Sequence, residues 1–118
     1  MNRTPLRQLN RRERRQIARD MEIVVHINKC RDDPGLAGKL VACEIIDFSG
    51  RGLHVLTDTA LVPKILLNIK ISNGDPLSRF ELLGEIRWTK IIDNQCHMGI
   101  RFAEDKSTDI DAWVVVFG

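Results

Sequence analysis

The sequence predicts an all-β barrel or sandwich, preceded by a basic arm and followed by a short helix. Six β-branched or alternating segments succeed one another at short spacing, turn signals separate them, and only the C-terminal segment carries helical spacing. Such a run of strands argues against a βαβ fold. At 118 residues the chain has length for one domain with a sizeable core and no more.

The elements follow in order. MEIVVHINK at 21–29 is β-branched and ends at the turn signal RDDPGLAG, a strand and then a loop. KLVACEIID at 39–47 forms the next strand, FSGRG a tight glycine turn, and LHVLT at 53–57 a third strand that lasts until Pro63 interrupts. ILLNIKIS at 65–72 alternates from Leu67, with Leu67, Ile69 and Ile71 on one face and Asn68, Lys70 and Ser72 on the other, as a half-buried strand does. After the loop NGDPLS, RFELLGEIRWTKII sets Phe80, Leu82, Gly84, Ile86 and Trp88 at alternate positions. DNQ then returns the chain into CHMGIRFA as a hairpin would. In STDIDAWVVVF, Ser107 or Thr108 can cap, and Asp109 and Asp111 suit a positive helix N-terminus. Ile110, Trp113, Val114 and Phe117 keep i, i+3, i+4, i+7 spacing, which predicts a short helix packed on the barrel.

Charge divides the molecule. Seven arginines and no lysine fall in the first twenty residues, against Glu13 and Asp20 alone, whereas residues 21–118 sum to −3. The division expected is therefore a flexible arginine-rich arm over 1–20 and a mildly acidic body over 21–118. Arginine rather than lysine matters, because the planar guanidinium grips phosphate or a base edge at two points and stacks on flat rings. With few apolar residues, the arm is expected to be mobile until a ligand orders it.

Other classes are excluded on composition. No apolar run approaches the roughly 20 residues of a membrane span, and the N-terminus lacks the apolar stretch of a secretory signal, so a soluble cytoplasmic protein is expected. Cys30, Cys43 and Cys96 stand at spacings that suit neither a disulfide framework nor a metal site, and Cys96 and His97, as strand neighbours, point apart. No nucleophile and base at a recognisable spacing, no HExxH and no glycine-rich phosphate loop are present, so neither an enzyme nor a cofactor is expected.

Two motifs remain. Asp47-Phe48-Ser49-Gly50-Arg51-Gly52 links two strands and by itself reads as a β-turn, in which Asp and Ser bond nearby backbone and glycine supplies positive φ. Together with Arg15-x-x-x-Arg19 before the first strand, Asp47-x-Ser49-x-x-Gly52 resembles the two-part signature of the PilZ domain family. ERRQIAR, CEIIDFSGRGLHV, GEIRW and CHMGIRF extend the resemblance in order from residue 13 to about 104.

The resemblance implies a six-stranded antiparallel β-barrel that binds the second messenger cyclic di-GMP. It assigns Arg15, Arg19, Asp47, Ser49 and Gly52 to the ligand, adds Arg14 as a phosphate or guanine contact, and places Trp88 where an aromatic can meet the ligand or pack in the core. The chemistry agrees: arginine pairs with guanine O6 and N7, a carboxylate accepts from guanine N–H groups, and a glycine lets backbone approach closely. His26, His54 and Met98 are expected to be ordinary barrel residues, and Arg3, Arg7, Arg11 and Arg12 solvated charge. The output is expected to lie on an unidentified effector protein. A nucleic-acid-binding barrel using the same arm is the alternative, opposed by the acidic body, the absence of tyrosine and the position of Asp47.

Overall fold

The computed structural model describes residues 10–72 and 79–118; Arg3, Arg7 and the NGDPLS loop lie outside them. It holds α1 (Arg11–Arg19), β1 (Glu22–Lys29), a 3-10 turn (Pro34–Leu36), β2 (Leu40–Val41), β3 (Cys43–Phe48), β4 (Gly52–Thr57), β5 (Leu66–Ser72), β6 (Arg79–Ile92), β7 (Gln95–Phe102) and α2 (Ile110–Phe117). The strands form one antiparallel sheet in the order β2-β1-β5-β6-β7-β4-β3.

Seven strands stand where six were expected, because the segment 39–47 breaks at Ala42. Val41 pairs with Val25 on β1, whereas Cys43 pairs with Thr57 on β4, so one stretch of chain serves both edges of the sheet. With a single residue between them, the two edges cannot lie more than about 7 Å apart at that point. The sheet therefore rolls toward a barrel, although its pairing ladder remains open rather than closed.

Alternation places the core where the sequence put it on β5: Leu67, Ile69 and Ile71 are buried, and Asn68 and Lys70 exposed. Val25, Ile27, Ile45, Val55, Ile86, Met98 and Ile100 complete the inner face. Asp93 and Asn94 both take positive φ and make the two-residue β6–β7 turn, which pairs Ile92 with Gln95.

Within the arm, residues 11–19 are helical. Asn10 caps α1 by accepting from the Glu13 N–H at 2.8 Å, Glu13 occupies the first turn and Arg19 the last, as the helix dipole favours. The segment contains no glycine or proline, and arginine, glutamine and alanine are good helix formers. Ala18 is the side chain that α1 buries as it lies against β3.

At the other end, α2 forms as expected; Asp109 holds the cap position without a side-chain cap bond, and Thr108 Oγ1 accepts from the Ile110 N–H at 3.4 Å. The Asp109 carboxylate accepts from the Glu81 N–H at 2.7 Å and its own N–H donates to the Glu81 carbonyl, so it fastens the helix to β6. All four phenylalanines, Phe48, Phe80, Phe102 and Phe117, ring the fully buried Trp113, with centroids 4.3 to 6.0 Å away. No described helix is long and apolar enough to cross a membrane.

Candidate ligand-binding site

Two β-bulges build the site. In a regular strand, Ile45 and Asp47 would share a face, as would Ile86 and Trp88. Here Ile45 pairs with Val55 while Asp47 pairs with the next residue, His54, leaving Ile46 as an extra residue on β3. Likewise Ile86 pairs with Ile100 while Trp88 pairs with Gly99, leaving Arg87 extra on β6. Each bulge reverses the phase of its strand, and Asp47 and Trp88 turn from the core to the outer face.

The register then lines up a row across four strands: Asp47 on β3, His54 on β4, Gly99 on β7 and Trp88 on β6. Trp88 is 43 % exposed, so core packing is not its role. Its indole lies on Gly99, where an added Cβ would collide with the indole nitrogen. The His54 ring stands 5.3 Å from the Trp88 ring.

This row floors an open groove of about 1080 Å³, lined also by Arg14, Ser49, Gly52, Arg51, Arg87 and Arg101. Arg14 reaches down from α1, its Nε donating to Asp47 Oδ1 at 3.1 Å, and the same oxygen accepts from the Phe48 N–H at 2.9 Å. Ser49 is exposed; its Oγ accepts from the Arg51 N–H at 3.2 Å, and its carbonyl accepts from Trp113 Nε1 at 2.9 Å. The turn reading of this motif therefore holds, with α2 supporting the turn from beneath.

The glycines serve packing rather than positive φ. A Cβ on Gly52 would run into the Ile100 carbonyl oxygen, and one on Gly50 would meet Gly118 Cα at 2.8 Å. Gly52 is thus required by close approach of β7, and Gly50 by the end of α2.

Of the remaining expected contacts, Arg15 and Arg19 are exposed on α1 and do not line the groove. Arg19 borders a smaller depression of about 340 Å³ with Met21, Glu22 and Glu44. Arg11, Arg15 and Arg19 recur every four residues and so share one face of α1, where like charges repel until an anion relieves them. His54, expected to be an ordinary barrel residue, lines the groove, and His97 Nδ1 lies 2.9 Å from its Nε2. Burial first, and then His97, hold the His54 imidazole below its ordinary value of 6.5; Arg11 and Arg15 act in the same direction and Asp47 opposes them.

The outer face of this β-sheet carries an arginine-lined groove with an aromatic wall, a candidate ligand site. The chain belongs to the PilZ domain family, whose model matches residues 9–114. That family is known for binding cyclic di-GMP. Comparison with curated proteins gives no match.

Proposed function

We propose that this chain is a cyclic di-GMP receptor that reports ligand occupancy to a partner protein through α1. The observation that supports it most is the row Asp47–His54–Gly99–Trp88, which sets a carboxylate and an exposed indole on one wall beneath an arginine helix. Cyclic di-GMP offers two guanines and two phosphates. Trp88 would stack on a guanine face, Asp47 accept from guanine N–H groups, and Ser49 add a hydroxyl. Arg14, Arg15 and Arg19 would meet phosphates or guanine O6 and N7.

The ion pair between Arg14 and Asp47 gives the binding step its mechanism. A guanine that claims Asp47 competes with Arg14, and Arg14 then exchanges the carboxylate for the ligand. Because α1 buries little more than Ala18, such an exchange shifts the helix at low cost and re-shapes the surface offered to an effector. The arm over 1–20 and the body over 21–118 act on this reading as clamp and support.

Calorimetry with cyclic di-GMP tests the proposal. Wild-type protein is expected to bind, and Arg15→Ala to bind about tenfold or more weakly, as loss of a charge-assisted hydrogen bond requires. Undiminished binding by Arg15→Ala would remove that residue from the site, and absence of wild-type binding would remove the function. Random oligonucleotides that bind with a steep salt dependence, without competition from cyclic di-GMP, would favour a nucleic-acid role instead.

Gly99 supplies an independent check. Gly99→Val is expected to lift Trp88 from its seat, raising the acrylamide-quenchable fluorescence, because the other tryptophan, Trp113, is fully buried. The displaced indole should also cost cyclic di-GMP binding about 1–3 kcal/mol, the worth of a base–aromatic stack. Unchanged quenching and affinity would show that Gly99 does not position Trp88.

A further inference from the structure

His54 lines the groove without a part in the ligand contacts above, and His97 stands within hydrogen-bond distance of it. His54 occupies the middle of the cross-sheet row, between Asp47 and Gly99, so a ligand that spans Asp47 and Trp88 passes over it. Its Nε2 is 2.9 Å from His97 Nδ1, and its ring stands 5.2 Å from the His97 ring and 5.3 Å from Trp88. The charges that face it come from three elements: Arg11 and Arg15 on α1, Asp47 on β3 and His97 on β7. In this field the two arginines and His97 favour a neutral ring, and Asp47 alone favours a charged one.

We propose that His54 is an additional ligand contact, which takes up a proton from solvent when a doubly anionic nucleotide enters the groove. This inference rests on the cyclic di-GMP reading. When Nε2 donates to His97 Nδ1, the lone pair of His54 lies on Nδ1, and the incoming proton adds there. The bond to His97 is kept and becomes charge-assisted. The imidazolium so formed is a cation beside the Trp88 indole and beside the ligand phosphates, both of which stabilise it.

The sign follows from linkage. In the free protein, His54 binds its proton less readily than an ordinary histidine. Ligand phosphates offset the arginine field and raise that affinity, so the complex holds more protons than its separated parts. Binding therefore tightens as pH falls through the interval between the free and bound values, and levels off below the free value. The phosphodiesters stay ionised throughout and contribute no slope. The variants, rather than the shape of the curve, assign the slope to His54.

The test is titration calorimetry with cyclic di-GMP at about pH 7.5, 6.5 and 5.5, each in two buffers of different ionisation enthalpy. Wild-type Kd is expected to fall roughly threefold or more over that range with net proton uptake, since a tenfold gain in the proton affinity of His54 can tighten binding by up to about tenfold. His54→Gln, which keeps a hydrogen-bonding side chain, should bind with flat pH dependence and no uptake. His26→Gln, on β1 away from the groove lining, should keep the wild-type slope. A flat wild-type profile, or a slope that survives in His54→Gln, overturns the proposal while leaving the receptor reading standing. Failure to bind at every pH overturns both.

Discussion

Trp113→Ala is expected to lower stability by about 3–5 kcal/mol, the cost of truncating a fully buried aromatic. Domains of this kind have only about 5–15 kcal/mol to lose, so much of the margin would go, and urea denaturation reads it directly. The size follows from the packing, since all four phenylalanines contact this one ring system and α2 has no other aromatic anchor except Phe117. Trp113→Phe separates packing from hydrogen bonding. It restores much of the ring contact but leaves the Ser49 carbonyl without the indole N–H, at a cost of about 1 kcal/mol for that bond. If the bond holds the site turn in shape, Trp113→Phe will also weaken ligand binding; a change below about 1 kcal/mol in stability for Trp113→Ala would refute the central role of the indole.

Asp47→Ala carries the largest expected effect on binding. Loss of a charged acceptor costs about 1.5–3 kcal/mol, which is roughly ten- to hundredfold in Kd for cyclic di-GMP. Stability should change little, because the pair with Arg14 is partly solvated, with side chains 27 % and 25 % exposed. Asp47→Asn should lie between, keeping a carbonyl acceptor without the charge. Calorimetry paired with urea denaturation distinguishes a lost contact from a lost fold. Wild-type affinity in Asp47→Ala would mean that the carboxylate serves only Arg14 and the Phe48 N–H.

The elements legible in the sequence were those whose signal is local. Alternation marked β5, the Asp93-Asn94 turn marked the last hairpin, and helical spacing from Ile110 to Phe117 marked α2. Of the groove lining, the resemblance named Arg14, Asp47, Ser49, Gly52 and Trp88, but not His54, Arg51, Arg87 or Arg101, and the paired arginines Arg15 and Arg19 lie outside it. What remained hidden was phase: Phe80, Leu82, Gly84, Ile86 and Trp88 alternate without a break, and nothing in that pattern announces the bulge at Arg87. Counting back from the two-residue turn would nevertheless have set Trp88 opposite Gly99, an aromatic over a glycine, and so pointed to the seat. Ile46 hides its bulge in the same way. The break at Ala42 carries no glycine or proline to mark it. For α1, the dense like charge suggested a solvated arm, while Asn10 three residues before Glu13, the pattern of a helix start, was the competing signal.

The two ends of the open sheet have a consequence for life in a crowded solution. A free strand edge displays unpaired N–H and C=O groups, and another chain can add to it and seed aggregation. At one end β2 is only two residues long, too short a template to hold a foreign strand. At the other, β3 lies beside α1, whose arginines confront any second copy of this chain with like charge. One helix thus sets arginine both at the groove, through Arg14, and beside the β3 edge.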